Sequence, residues 1–390
     1  MPRLSFILTV AMLNAFGLIA SDVYLPAMPR MAADLHIASW QMPQTVSAYL
    51  LVLAIAQLVY GPLADRFGRK PVLFAGIALY LVGSLGCATA TAFGTFVVWR
   101  MVEAAGAAAG LVIGRALIAD TCSKRASARV YAIVYPLVSL SPALAPGIGG
   151  YLAHAYGWHA DFVFIAAFAV AAFGMAVRFL PETLAREKRR SRAPFDGFAQ
   201  VLRDRTFQRY TLVVCAIYCA WFVYLTQSPF VFARLGLSEA HSGWLYVPLT
   251  AGIVAANLLT RRGLDRWPYD RLVATGVACF LLGGVAFTVV AAQGMASAAA
   301  VVLPMCLVSL ANGSSLSLAV SGAVAGSHGR AASASALVGF FQIGSSALMA
   351  SAISALFGTG LAVMATSILV FSLIAVAACL PARATVQCAG

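Results

Sequence analysis

Charge is what this chain has least of. Asp and Glu number 13 and Lys and Arg 26 among 390 residues, so only 10% of positions are charged. With 62% of the chain hydrophobic and a mean hydropathy of +0.89, that is too little polar surface to cover a soluble core. The five histidines, His36, His154, His159, His241 and His328, are scattered, and neither a Ser/His/Asp grouping nor a glycine-rich nucleotide loop is visible. A membrane-embedded enzyme is therefore not expected, and neither a metal nor a cofactor is called for. The eight cysteines include no C-x-x-C pair and mostly sit in apolar runs, where cysteine behaves as a small hydrophobe, so no disulfide framework is implied. No polar domain gathers the basic residues, which excludes nucleic acid as the reason for the net charge of +13. A sensor or scaffold would carry a soluble output domain, and the one long polar segment is too short to form one.

What the chain does have is long apolar runs. They lie near 5–27, 43–63, 71–92, 95–118, 130–153, 160–180, 210–232, 242–260, 272–293, 297–322, 332–356 and 358–380. Each is long enough, at about 1.5 Å per helical residue, to cross a hydrocarbon core of about 30 Å. In lipid every backbone polar group needs an internal partner, and runs this uniformly apolar do not alternate as barrel strands do. The expectation is an all-α membrane protein with twelve transmembrane helices. The first run is read as a span and not a cleaved signal, because its loss would leave eleven helices and break the charge alternation.

That alternation is regular. Connections after even-numbered helices carry "DRFGRK", "DTCSKRASAR", the long segment through "REKRRSR", "RRGLDRWPYDR" and "SHGR"; those after odd-numbered helices hold only Arg30 and Arg234 as basic residues. Lys and Arg stay on the cytoplasmic side, so both termini are expected inside. The segment 181–209 reads as a cytoplasmic linker, with a short surface helix around "FDGFAQVLRDRTF", between a six-helix bundle at 1–180 and another at 210–390. Asp65-Arg66 and Asp265-Arg266 each follow their half's second helix, as a duplicated half would place them.

Within this frame a few residues stand out. "GPLADRFGRK" supplies Gly61, Asp65, Arg66, Gly68, Arg69 and Lys70 between two apolar runs. Asp65 is read at a helix start, facing the positive dipole end, with the basic residues free for carboxylates or lipid phosphates; a plain positive-inside anchor is the alternative. Asp22, Arg100 and Glu103 stand well inside spans, where a charge is costly and tends to be functional. Helix one runs outward and helix four inward, so Asp22 and Arg100 meet at one level, with Glu103 one turn deeper on the arginine's face. Asp22, as the one acid of helix one, is the candidate proton carrier; an ion triad that only fixes packing is the alternative. Glu103 is read as the partner of Arg100 ahead of a second proton site. Gly106, Gly110 and Gly114 recur every four residues, and Ala145, Pro146, Gly149 and Gly150 make a slim, kinkable face, suited to movement or simply to close packing. Tyr218, Trp221 and Phe222 share a face of helix seven; with Tyr49, Tyr135, Phe340, Phe341 and Gln342 they are candidates to line a cavity for lipophilic or cationic compounds, or else to face lipid.

"GPLADRFGRKPVL", "APGIGGYL", "SDVYLPAMP" and "RMVEAAGAAAGLVIGRALIAD" together resemble the major facilitator superfamily, and within it the drug:proton antiporters of the bicyclomycin and chloramphenicol resistance type. The resemblance covers the whole chain by helix count, with its specific motifs in the first half. It implies proton-coupled efflux of small lipophilic or cationic drugs across the bacterial inner membrane by alternating access, from a monomer whose partners are substrate, protons and the bilayer. It also implies a cytoplasmic latch, in which Asp65 and Arg69 act with Asp120 and part when the inward side opens, and an exporter mark at residues 145–150. Glu103 departs from the pattern, which usually has Gln there. A symporter, or an exporter of a small metabolite, with the same fold is the rival reading.

Overall fold

The computed structural model describes residues 4–122, 130, 133–134, 141–184, 198–294, 297–325 and 331–379. Among them there are helices and connections and no strands. The spanning helices are α1 Leu4–Asp22, α2 Met42–Phe67, α3 Arg69–Ala88, α4 Phe93–Thr121, α5 Ser141–Tyr156, α6 His159–Phe179, α7 Arg205–Arg234, α8 Val247–Gly263, α9 Tyr269–Ala292, α10 beginning at Ala298–Ala311, α11 Ala331–Phe357 and α12 Leu361–Cys379. Among the described residues eleven spans are long and apolar enough to cross a membrane, and the described part of α5 supplies the twelfth helix.

The two halves pack by one plan. In the first, α4 lies against α1, α2 and α3, while α6 lies against α1 and α3; in the second, α10 lies against α7, α8 and α9, while α12 lies against α7 and α9. The seam between halves is formed by α2 with α11 and by α5 with α8 and the short helix Glu239–Trp244 before it. Small residues permit this closeness. A Cβ on Gly106 would collide with the Tyr80 backbone in α3, and one on Gly110 with the Leu13 carbonyl in α1, so the glycine stripe of α4 is where its neighbours seat.

Helix ends and one helix interior differ from the sequence reading. Helix one stops at Asp22, short of 27, because Pro26 has no N–H and its ring would crowd the carbonyl four residues back, that of Asp22; a 3₁₀ turn Leu25–Ala27 and a short helix Met28–Asp34 follow. At the other end of the linker the short helix is Phe198–Leu202, and α7 starts at Arg205, ahead of the expected 210. Asp204 sets that start, its Oδ1 accepting from Thr206 N at 2.7 Å and Phe207 N at 3.3 Å. In α10 a π-helical turn, Asn312–Leu316, interrupts the helix before Ser317–Ala325.

One end of the bundle carries the charged connections; we call it the basic end. The two halves are tied to each other at the far end. Ser354 Oγ donates to the Trp40 carbonyl at 2.6 Å, Thr359 Oγ1 to Ser39 Oγ at 3.4 Å, and His154 Nδ1 lies 3.4 Å from Glu239 Oε2. Burial along α2 follows this: nearly all of Met42–Leu50 is covered, while most of the turns toward Phe67 are partly exposed.

Candidate functional site

The charged centre is built on α1, α2 and α4. Arg100 and Glu103, one turn apart on α4, are both fully buried and form an ion pair, and Ser84 Oγ of α3 donates to the other Glu103 oxygen at 2.8 Å. The guanidinium is held between aromatic faces, 4.1 Å from the Tyr49 ring centre and 4.7 Å from that of Tyr24, with Phe162 at 5.8 Å. Tyr49 and Tyr24 are themselves fixed, through Tyr49 Oη to the Gly17 carbonyl at 3.2 Å and a Tyr24–Thr45 hydroxyl contact of 2.9 Å. Among the described residues nothing accepts a hydrogen bond from Nε or Nη2 of Arg100.

Asp22 lies apart from the Arg100–Glu103 ion pair. Its carboxylate accepts from Ser21 Oγ at 2.8 Å, and Arg100, whose ion pair is with Glu103, lies within electrostatic reach. The break in the chain at Asp22 explains why: the acid closes α1, where the backbone turns into the 3₁₀ segment, and its neighbour's hydroxyl reaches it first. It is also within electrostatic reach of Tyr218 on α7 and Tyr246 at the start of α8, both in the other half. Asp22 is thus within electrostatic reach of the Arg100 pair and of tyrosines in the other half.

The Ala145-Pro146-Gly149-Gly150 face meets that seam. Cβ atoms on Gly149 and Gly150 would strike the Val23 carbonyl just past Asp22 and the Glu239 carbonyl of the second half. Gly243 in turn faces the Pro146 carbonyl, and Gly147 faces the Trp244 ring. The short side chains therefore place the first half's broken helix and the second half's α8 entry on two sides of one helix.

At the basic end, Arg69 Nη1 lies 2.7 Å from Asp65 Oδ1 and Nε donates to Asp120 Oδ2 at 3.1 Å. Asp65 is not at a helix start, as the sequence suggested, but in the last turn of α2, where the dipole is unfavourable to it and Arg69 compensates. Gly68, at φ 102°, occupies backbone space that side chains avoid and lets α3 begin at once. Arg66 lies over the Phe67 ring and Lys70 over that of Phe74. Gly61 has open space where its Cβ would be.

The candidate cavity residues divide. Tyr218 is half-buried, 5.1 Å ring to ring from Phe222, and Gln342 of α11 approaches its hydroxyl. Phe340 and Phe341 are half-buried and edge to face, whereas Trp221 and Phe222 are buried. Tyr49 packs on Arg100 instead of offering an open surface, and Tyr135 lies outside the described residues. Four residues that matter here were missed: Ser21, Tyr24, Ser84 and Asp161. Tyr24 and Ser21 are in the quoted "SDVYLPAMP"; Ser21 bonds to Asp22 beside it, whereas the partners of Tyr24 come from other helices. Asp161 sits in the first turn of α6, where an acid reads as an interfacial helix start; it is fully buried and neither carboxyl oxygen has a hydrogen-bond partner among the described residues.

Comparisons with known proteins agree with this architecture. The chloramphenicol resistance protein of Pseudomonas aeruginosa is 30% identical over 83% of this chain and 78% of its own. Multidrug resistance protein D of Escherichia coli is 27% identical over 92% of this chain and 90% of its own. The partially occluded, inward-open structure of the E. coli xylose transporter XylE superposes with a TM-score of 0.76 at 13% identity, covering 96% of this chain and 95% of its own. An inward-facing bacterial homologue of the human lysosomal transporter Spinster gives 0.70 at 14%, covering 96% and 95%. Residues 7–349 match the Major Facilitator Superfamily, and the chain belongs to that family of membrane transporters.

Proposed function

We propose that the chain exports small lipophilic or cationic drugs in exchange for protons by alternating access across a bacterial inner membrane. The reading places the basic end and both termini in the cytoplasm. The observation that carries it is Asp22, a buried acid next to the α5 face of the seam and within electrostatic reach of the Arg100 pair and of a tyrosine in the other half. A carboxyl so placed can exchange a proton for a cationic or hydrogen-bonding substrate, and rearrangement of the seam changes its neighbours. The donors of Arg100 that Glu103 leaves over would receive the Asp22 carboxylate once its proton has gone. The names of the relatives, which concern chloramphenicol and multidrug resistance, support the substrate class.

The test uses everted vesicles containing a pH-sensitive dye, challenged with a panel of compounds. Collapse of the pH gradient by a drug is expected, and Asp22→Asn should abolish it while the purified variant still binds a neutral drug without releasing a proton. Export at the wild-type rate by Asp22→Asn would remove Asp22 from the coupling step. Gradient-driven uptake of a nutrient, with no drug response, would replace the exporter by a symporter.

A further inference from the structure

The start of α3 has a capping problem that the sequence around it does not solve. Its N-cap residue is Gly68, which has no side chain to accept from the first free N–H groups of the helix. Those groups are satisfied from far along the chain. Glu182, just past the end of α6, accepts from Arg69 N through Oε1 and from Lys70 N through Oε2, each at 3.1 Å. A carboxylate spread across two helix N–H groups is also favoured by the positive end of the helix dipole. Its neighbour continues the arrangement: Thr183 Oγ1 donates to Asp120 Oδ2 at 2.9 Å, the same oxygen that accepts from Arg69 Nε.

Two consecutive residues thus hold Arg69 from both directions, one by its backbone and the other through its carboxylate partner. We propose that Glu182 and Thr183 are positioning residues for the Asp65–Arg69–Asp120 knot, so that the root of the linker sets the geometry in which Arg69 engages Asp120. The same linker leads, beyond the described stretch, to the helix Phe198–Leu202, which packs on α11 of the second half. The linker therefore starts on the knot of one half and ends on a seam helix of the other. This role deepens the export reading and rests on it for its effect on turnover.

Hydrogen exchange on the purified full chain reads the Arg69 and Lys70 amides directly. Glu182→Gln keeps the side chain's shape but retains a single acceptor oxygen and loses the charge, so exchange there should rise about five-fold. Drug affinity in detergent should stay at the wild-type value while turnover falls about five-fold. Thr183→Val should lower turnover in the same way, and Thr183→Ser, which keeps the hydroxyl, should restore it. Wild-type amide exchange in Glu182→Gln overturns the proposal. So does an equal loss in Thr183→Val and Thr183→Ser, or a loss of drug affinity in step with turnover, since either would mean disturbed packing. Should Glu182→Gln fail to fold, the Thr183 pair carries the test alone. The exchange measurement needs no transported compound, so faster exchange together with no drug response in any vesicle overturns the export reading and supports the positioning role.

Discussion

At the residue scale, Arg100 displays what a buried charge demands of its surroundings. It has one carboxylate, stacked aromatic rings and a second acid within reach, and these were recruited from α1, α2, α4 and α6. Breaking a buried ion pair by deleting one partner costs about 3–5 kcal/mol, because the other charge is left uncompensated. Glu103→Gln is the mild version, since the amide oxygen can still accept from Arg100 or Ser84 and Asp22 remains near. It should lower the melting temperature by a few degrees and leave drug-driven proton exchange working. Adding Asp22→Asn removes a second acid within reach, so the double variant should lose more stability than the sum of the singles, measured as melting temperature in a double-mutant cycle. Strict additivity would mean that Asp22 and Arg100 do not share a field. The sequence made the three charges conspicuous, because each is expensive in an apolar run, and the spacing of Arg100 and Glu103 on one face already paired those two. What surrounds the pair was not legible, because it depends on the break after α1 and on Ser21, Ser84 and Tyr24, ordinary residues that carry no signal of their own.

At the element scale, the helices were legible and their ends were not. Length and uniform hydropathy determine that a span is helical, whereas a single proline ended α1 at Asp22 and a single aspartate started α7 at Arg205. The glycines separate in the same fashion: motif membership does not tell which of them is crowded. Gly149→Val should drive a side chain into the Val23 carbonyl, displacing the turn after Asp22. Overpacking of this kind costs about 1–3 kcal/mol, and drug transport should fall with it. Gly61→Ala, in open space within α2, should keep the melting temperature or raise it slightly, because alanine favours helix by about 1 kcal/mol over glycine. Gly68→Ala, at positive φ, should lower it. A melting series of the three variants checks the order, and a Gly61→Ala variant as unstable as Gly149→Val would contradict the packing described.

At the scale of the whole molecule, the arrangement is asymmetric along the membrane normal. The halves are joined through Ser39, Trp40, Ser354, Thr359, His154 and Glu239 at the far end, periplasmic in the proposed orientation, while the Arg69 knot at the basic end is closed within one half. Under the proposed alternating access the far-end contacts part in each cycle, for a drug released outward would leave between them. The polar part of that seam is slight: two hydroxyl bonds and one partly exposed His–Glu contact, each worth little alone, beside the glycine-lined packing of α5. A covalent link there should stop the cycle without harming the site. The Ser39 and Thr359 hydroxyls are 3.4 Å apart, close enough for cysteines at both positions to pair after small side-chain adjustments. Oxidised Ser39→Cys/Thr359→Cys protein is expected to bind drug from the basic end in detergent and to exchange no protons in everted vesicles. A reductant should return exchange to the level of the single variants. Transport that continues in the fully cross-linked protein would show that the far end does not open at this seam, and an exit path for the substrate would then have to run elsewhere, away from the Asp22 face.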